Sequence, residues 1–115
     1  MDDRYHDIVL DGFSEGNYGK LDRSVGDPVC IYGRMSIDSI HDSVYFPLQP
    51  MEEDEVITIG FSRVISGLSY DYANRNGMVD GQSYRVCGIL RDATPFRQCG
   101  HNRCKWYKLE DAELQ

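Results

Sequence analysis

The residues best suited to chemistry cluster near the C-terminal end of the 115-residue sequence. Cys99 and Cys104 flank the four residues GHNR, so His101 stands between two thiols. A cysteine pair at this spacing is one half of a structural zinc site, which needs four ligands and usually takes them from two such pairs. The other two cysteines are far apart in the sequence. We therefore predict no metal or other cofactor, and Cys99, His101 and Cys104 are weak candidates as metal ligands.

A disulfide at the same place needs fewer partners. The Gly and Asn of GHNR suit a hairpin turn, and opposed residues of an antiparallel pair can lie within the ~4.4–6.8 Å between Cα atoms that is usual for a disulfide. We expect Cys99 to bond Cys104 in an oxidising compartment. Because the chain also contains Cys30 and Cys87, three connectivities are open. In a reducing cytosol all four are expected as thiols.

Patterns typical of catalysis are weak. The sequence contains no Gly-x-Ser-x-Gly, His-Glu-x-x-His or phosphate-binding glycine motif. A cysteine–histidine pair within residues 99–104 has no third group to orient it. The acidic run MEEDE at 51–55 lacks the alternating ligands of a calcium loop, which favours a solvated turn. We predict that the protein is not an enzyme.

Composition and charge narrow the class of protein. The chain is long enough for one domain, and no apolar run approaches the roughly 20 residues of a membrane helix. Its net charge of −7 disfavours generic binding to nucleic acid. Residues 85–108 contain six basic side chains and one acid, a local charge of +5, so the remainder carries −7 − 5 = −12. As written, the chain predicts a cytoplasmic protein; a periplasmic or envelope location follows if Met1 replaces a removed signal peptide.

Two similar segments indicate the elements that position these residues. GDPVCIYGRM at 26–35 and GQSYRVCGIL at 81–90 share the form Gly-x-x-φ-x-φ-x-Gly-x-φ, where φ is apolar. Period-two alternation predicts a strand, and a glycine inside a strand indicates a bulge or tight bend. Further strands are predicted at 42–50, 54–64 and 104–114, the last with Trp106 and Lys108 on one side and Tyr107 and Leu109 on the other. A short helix is expected to begin near Ser66 or Ser69 and to end at Asn76-Gly77.

The order of these elements is that of a five-stranded Greek-key barrel, the OB-fold. The strands VCIYGRM and YRVCGIL, the helix before the second of them and the closing WYKLEDAEL resemble small single-domain bacterial OB-fold proteins, many without an assigned activity. The resemblance implies an all-β domain with a short helix over residues 21–115, and residues 1–20 are expected to form an N-terminal extension or barrel cap. Within residues 1–20, HDIVLDGF at 6–13 is expected to form a short strand or helix, and SEGNYGK at 14–20 is expected to be a loop. It also implies that the first and fourth strands are neighbours, which makes Cys30 and Cys87 a second candidate disulfide.

We therefore expect a non-enzymatic binding module whose partner is a protein or an anionic ligand. The expected site is the loop between the last two strands, because Arg and Trp are common anchors at interfaces. The candidate residues are Arg91, Arg97, His101, Arg103, Lys105 and Trp106. Trp106 is equally suited to closing the barrel floor. Two alternatives stay open: a single-stranded nucleic-acid-binding OB domain that stacks bases on Tyr45, Phe46 and Phe61, and a small acidic immunity or inhibitor protein that binds a basic toxin.

Overall fold

The computed structural model describes residues 5–12, 17–48, 63–93 and 105–115. Within these ranges the chain forms seven strands and two short helices. The strands are β1 (His6–Val9), β2 (Pro28–Arg34), β3 (Ser36–Asp38), β4 (Ser43–Pro47), β5 (Arg63–Ser66), β6 (Ser83–Asp92) and β7 (Lys105–Leu114). The helices are α1 (Tyr18–Ser24) and α2 (Tyr70–Arg75). In the described part of the chain, neither helix is long and apolar enough to cross a membrane.

All seven strands belong to one sheet, in the order β1-β2-β6-β7-β5-β4-β3. The pairs β1–β2 and β5–β7 are parallel, and the other neighbouring strands are antiparallel. The two ten-residue strands, β6 and β7, pair with each other near the centre of this order. The prediction of a mostly β protein with a short helix is confirmed at this level.

The expected closed barrel of five strands is wrong, because the structure has seven strands in an open sheet. One extra strand is β1, which adds a parallel edge to β2. The other arises at Met35, which separates β2 from β3. Met35 N donates to Gln82 O at 3.0 Å, and Gly81 N donates to Met35 O at 2.9 Å. The turn before β6 thus takes both backbone groups of Met35, where the strand predicted at 26–35 ends, and β3 follows as a strand that was not predicted.

The two matched glycine segments form β2 and β6, as predicted, and their apolar residues point inward. Val29 and Ile31 of β2 and Val86 and Leu90 of β6 are at most 1% exposed. The second glycine of the β6 segment, Gly88, lies at a shift in register between β6 and β7. A Cβ atom there would stand 2.7 Å from Glu110 O, so the close approach of the two backbones requires glycine.

Helix α2 follows the predicted signals. Ser69 is its N-cap, and the Ser69 hydroxyl accepts a hydrogen bond from Tyr72 N at 3.0 Å. Asn76 ends the helix, and Gly77 follows with a φ of +67°. Ala73 is fully buried and fixes this helix against the core.

Helix α1 was not predicted, because residues 14–20 suggested a loop. It buries Tyr18, Leu21 and Ser24. The Ser24 hydroxyl donates to Lys20 O at 2.9 Å and lies 3.2 Å from His6 Nε2, which joins α1 to β1. The segment from His6 was expected to form a strand or a helix, and the strand is confirmed. Ile8, the central apolar residue of β1, belongs to the common core.

Candidate functional site

The structure describes three of the six predicted binding residues. Arg91 lies near the end of β6, and Lys105 and Trp106 begin β7. The side chain of Lys105 and the whole of Arg97, His101 and Arg103 lie outside the described residues. The predicted Cys99–Cys104 disulfide and the weak metal-ligand candidates also fall there. The structure therefore describes only the base of the predicted site, where β6 ends and β7 begins.

Arg91, Trp106 and Lys108 lie on the same side of the sheet. Arg91 is directly paired with Lys108 across β6 and β7, and Trp106 shares the Lys108 side because side chains alternate along a strand. The intervening residue Tyr107 is fully buried on the other side, and so is nearly all of Leu109. We call Arg91, Trp106 and Lys108 the basic–aromatic face. The predicted sides of β7 are confirmed.

Trp106 is held in one orientation although only part of it is buried. Its indole nitrogen donates to the Ser66 hydroxyl at 2.8 Å, and its backbone pairs with Val64 of β5 in a parallel register. Trp106 is half-buried and is not a member of the hydrophobic core cluster. The ring therefore presents some of its surface at the edge of the face without the freedom of an exposed side chain.

The pairing of Arg91 with Lys108 brings two cations together. Like charges directly opposite one another destabilise an antiparallel pair. Glu110 relieves part of this repulsion, because its Oε2 lies 3.1 Å from Arg91 Nε. About half of each side chain in that ion pair is exposed, so the Coulomb energy is screened by solvent. Both charges of the face are thus available to a binding partner.

Beneath the face, Tyr107 connects β7 to helix α1. The Tyr107 hydroxyl donates to Asp22 Oδ1 at 2.5 Å. Burial raises the pKa of Tyr107, and the hydrogen bond to Asp22 raises this pKa further because it is made by the protonated hydroxyl. Tyr107 therefore remains a donor throughout the physiological range of pH and ties the strand that carries Trp106 to the helix.

The second candidate disulfide is present. Cys30 of β2 bonds Cys87 of β6, with 4.0 Å between their Cα atoms and 57 residues between them in sequence. The two residues are direct neighbours in the ladder and are nearly inaccessible to solvent. As expected, they lie on the side opposite the inward-facing apolar residues. An ion pair between Asp7 and Arg85, 2.8 Å long, spans from β1 to β6 across β2 on this same side.

The aromatic residues proposed for base stacking are not open surfaces. Tyr45 is 7% exposed and Phe46 is 1% exposed, and Phe61 lies outside the described residues. Phe46 packs in the core. Stacking of a base requires an accessible ring face, which neither described ring offers. Within the described ranges, no three side chains of metal-ligating type converge.

Sequence reasoning missed the residues that support the site. Ser66 orients Trp106 across 40 residues of sequence, and Glu110 pairs with Arg91. Alternation along the last strand placed Lys108 beside Trp106, yet Lys108 was not among the predicted site residues. The contact with Ser66 could not be found in the sequence, because it depends on the parallel pairing of β5 with β7.

Comparison of the chain with protein-family models, with curated proteins and with solved structures finds no match.

Proposed function

We propose that the protein is a non-enzymatic binding module that engages a partner protein through the basic–aromatic face and the adjoining segment 94–104. The observation that carries this proposal is the grouping of Arg91, Trp106 and Lys108 on one side of β6 and β7, with Trp106 fixed by Ser66. Arg and Trp contribute much of the binding energy at protein interfaces. A ring that is already fixed loses little conformational entropy when a partner covers it.

Charge also supports this surface. The proposed site lies within the only strongly basic stretch of an acidic chain, with +5 over residues 85–108 against −12 elsewhere. Such a distribution orients an approaching partner and repels it from the wrong side. An acidic patch with an apolar centre is the complementary surface. A binding role of this kind requires no catalytic group.

A protein partner is favoured over a single-stranded nucleic acid by the burial of Tyr45 and Phe46. Without these two stacking surfaces, a polyanion would depend on phosphate contacts and on the partly exposed ring of Trp106, and the net charge of −7 opposes the phosphate contacts. The same face offers charge-assisted hydrogen bonds to the carboxylates of a protein.

We also propose that the sheet is a variant of the OB-fold order. Strands β2 and β3 are separated by Met35 alone, while β2 pairs with β6 and β3 pairs with β4. If they are two halves of one bent strand, the order becomes that of the five OB strands with β1 added. The parallel pairing of β5 with β7 and the position of α2 between β5 and β6 support this assignment.

Site-specific photo-crosslinking tests the proposed function. A photoreactive benzoylphenylalanine replaces Ile89, which lies two residues before Arg91 on the same side of β6, and the protein is irradiated in an extract of its source cells. We expect a discrete protein adduct that disappears when Arg91→Glu and Lys108→Glu are introduced together.

The control places the same photoreactive residue at Lys20, on the exposed side of α1. This position should give no adduct of the same mass. Adducts of equal yield from positions 20 and 89, or an adduct from 89 that survives both charge reversals, would contradict the proposed surface. Failure to obtain any adduct from position 89 would count against a protein partner.

A further inference from the structure

A second part of the surface, distant in sequence from the basic–aromatic face, has features of a docking groove. An open depression of about 310 Å³ lies between the β3–β4 turn and the turn that precedes β6. Its lining is mixed: the apolar or aromatic residues are Ile37, Ile40 and Tyr45, and the polar residues are Ser36, Asp38, Ser39 and Asp80. The proposed function uses none of these residues.

Hydrogen bonds hold the two walls of the groove in place. Asp80 Oδ1 accepts from Ile37 N at 2.8 Å, which joins the turn before β6 to β3. Asp38 Oδ1 accepts from Ile40 N at 2.9 Å, and Asp38 Oδ2 lies 2.6 Å from His41 Nδ1. The groove is therefore preformed, and a partner would not have to order it on binding.

Ile40 is the most exposed of the large apolar side chains in the described part of the chain, with 88% of its surface accessible to solvent. Its backbone is fixed by Asp38, so the side chain is held outward at the tip of the turn. Val79, one residue before Asp80, is 55% exposed. Apolar side chains grouped in this way beside a groove are typical of interaction surfaces.

The electrostatic environment of the groove is negative. Burial raises the pKa of the Tyr45 hydroxyl, and the carboxylates of Asp38 and Asp80 act in the same direction. Hydrogen bonds from His41 lower the pKa of Asp38, so this carboxylate is ionised at neutral pH. Two carboxylates in one depression with the exposed side chain of Ile40 complement a guanidinium or ammonium group carried on an aliphatic stem.

We propose that this groove docks a basic loop of a partner protein, with an arginine or lysine between Asp38 and Asp80 and a neighbouring apolar side chain against Ile40. Charge complementarity identifies this occupant, because Asp38 and Asp80 both line the depression. The inference is independent of the proposed function, since it concerns other residues and the opposite sign of charge.

A short peptide serves as the probe. The isotopically labelled protein is titrated with the blocked peptide Ala-Arg-Leu-Ala, and amide chemical shifts are followed by NMR, with Ala-Glu-Leu-Ala as the peptide of reversed charge. We expect saturable shifts confined to residues 36–41 and 79–81, and weak binding with a Kd in the millimolar range. The glutamate peptide should leave these amides unchanged.

Variants that retain the hydrogen bonds of the groove test the role of charge. Asp80→Asn keeps an acceptor for Ile37 N and should weaken binding of the arginine peptide roughly threefold, the size of effect expected for one exposed charge pair. Ile40→Ser should weaken it at least as much. The matched control is Asp11→Asn, which removes one charge from an exposed turn elsewhere.

Several results would overturn the proposal. They are chemical-shift changes spread over the whole surface, equal responses to both peptides, or no response at a peptide concentration of ~10 mM. Equal affinities of Asp80→Asn and Asp11→Asn for the arginine peptide would also overturn it. Concentration-dependent shifts without peptide, at both the groove and the basic–aromatic face, would show that the occupant is a second copy of this chain. The spectra report directly whether each variant is folded.

Discussion

Single side chains in this protein connect elements that are far apart in sequence. Tyr107 is the clearest example, because it is fully buried and its hydroxyl donates to Asp22 across 85 residues. Asp22 belongs to α1, whose seven residues are too few for a stable isolated helix. We infer that this hydrogen bond is one of the contacts that hold α1 against the sheet.

Tyr107→Phe should therefore destabilise the protein. Loss of a hydrogen bond to a charged acceptor typically lowers the free energy of unfolding by about 1.5–3 kcal/mol, which would be measured by urea denaturation at pH 7. The matched control is Tyr32→Phe, which removes a hydroxyl from a tyrosine that is 45% exposed on β2. An equal effect of the two substitutions would contradict the structural role of the Tyr107 hydroxyl.

The same residue should make the stability of the protein depend on alkaline pH. Burial raises the pKa of Tyr107 in the folded state above the value of about 10 in an unfolded chain. Because the raised pKa favours the protonated form, the stabilisation is complete below pH ~10 and declines as the pH rises further. Between pH 8 and 11, the wild type should lose more free energy of unfolding than Tyr107→Phe. Parallel pH profiles would contradict this linkage.

Gly88 is a residue at which an added methyl group should be harmful. The new Cβ would lie 2.7 Å from Glu110 O and 3.1 Å from Leu109 Cβ, neither of which can move freely. Gly88→Ala should destabilise the fold by about 1–3 kcal/mol, as measured by chemical denaturation. In Gly19→Ala, by contrast, the new Cβ would meet the flexible end of Arg23, and the higher helix propensity of alanine should leave stability equal or slightly greater. Similar losses for both variants would refute the close approach at Gly88.

Among the elements, β2 and β6 are joined by the strongest constraint, because the Cys30–Cys87 disulfide links them across 57 residues. In the chain-entropy model, closing a loop of this length stabilises a protein by about 4 kcal/mol. The Cys30→Ala, Cys87→Ala double variant should lose most of this energy. Thermal and urea denaturation would measure the loss, and a change below about 1 kcal/mol would show that the bond contributes little.

The sequence predicted those elements whose signals are local. Alternation in β2, β6 and β7 identified which side of each strand faces the core, and Ser69 with Asn76-Gly77 marked the ends of α2. Helix α1 escaped prediction, because Asn17 makes no side-chain cap and Gly19 lowers its helix propensity. Its stability comes from burial of Leu21 and from contacts with β1 and β7, which no local pattern reveals.

Some residues of the candidate site could be predicted from the sequence, but the contacts between them could not. Residue type and position along the chain identified Arg91 and Trp106, and alternation placed Lys108 beside Trp106. The Ser66 contact and the direct pairing of Arg91 with Lys108 depend on strand order and register. The groove beside β3 depends on a contact between Ile37 and Asp80, which are 43 residues apart.

The whole protein is small, acidic and mostly β, with one basic stretch at residues 85–108. The fixed indole of Trp106 and the two cations beside it form a surface suited to an acidic partner, whereas the groove at Asp38 and Asp80 suits a basic one. The two surfaces differ in the sign of their charge, so a single partner segment cannot be optimal for both.

Binding at the basic–aromatic face would be measured by calorimetry. The partner protein that the crosslinking experiment identifies is titrated, in free form, with the wild type, Lys108→Glu and Lys20→Glu. Both variants change the net charge by the same amount, but only Lys108 lies on the basic–aromatic face. We predict that Lys108→Glu weakens binding by about tenfold or more, equivalent to ~1.4 kcal/mol, whereas Lys20→Glu changes the affinity less than about twofold. Equal affinities for the two variants would contradict the claim that this face is the binding site.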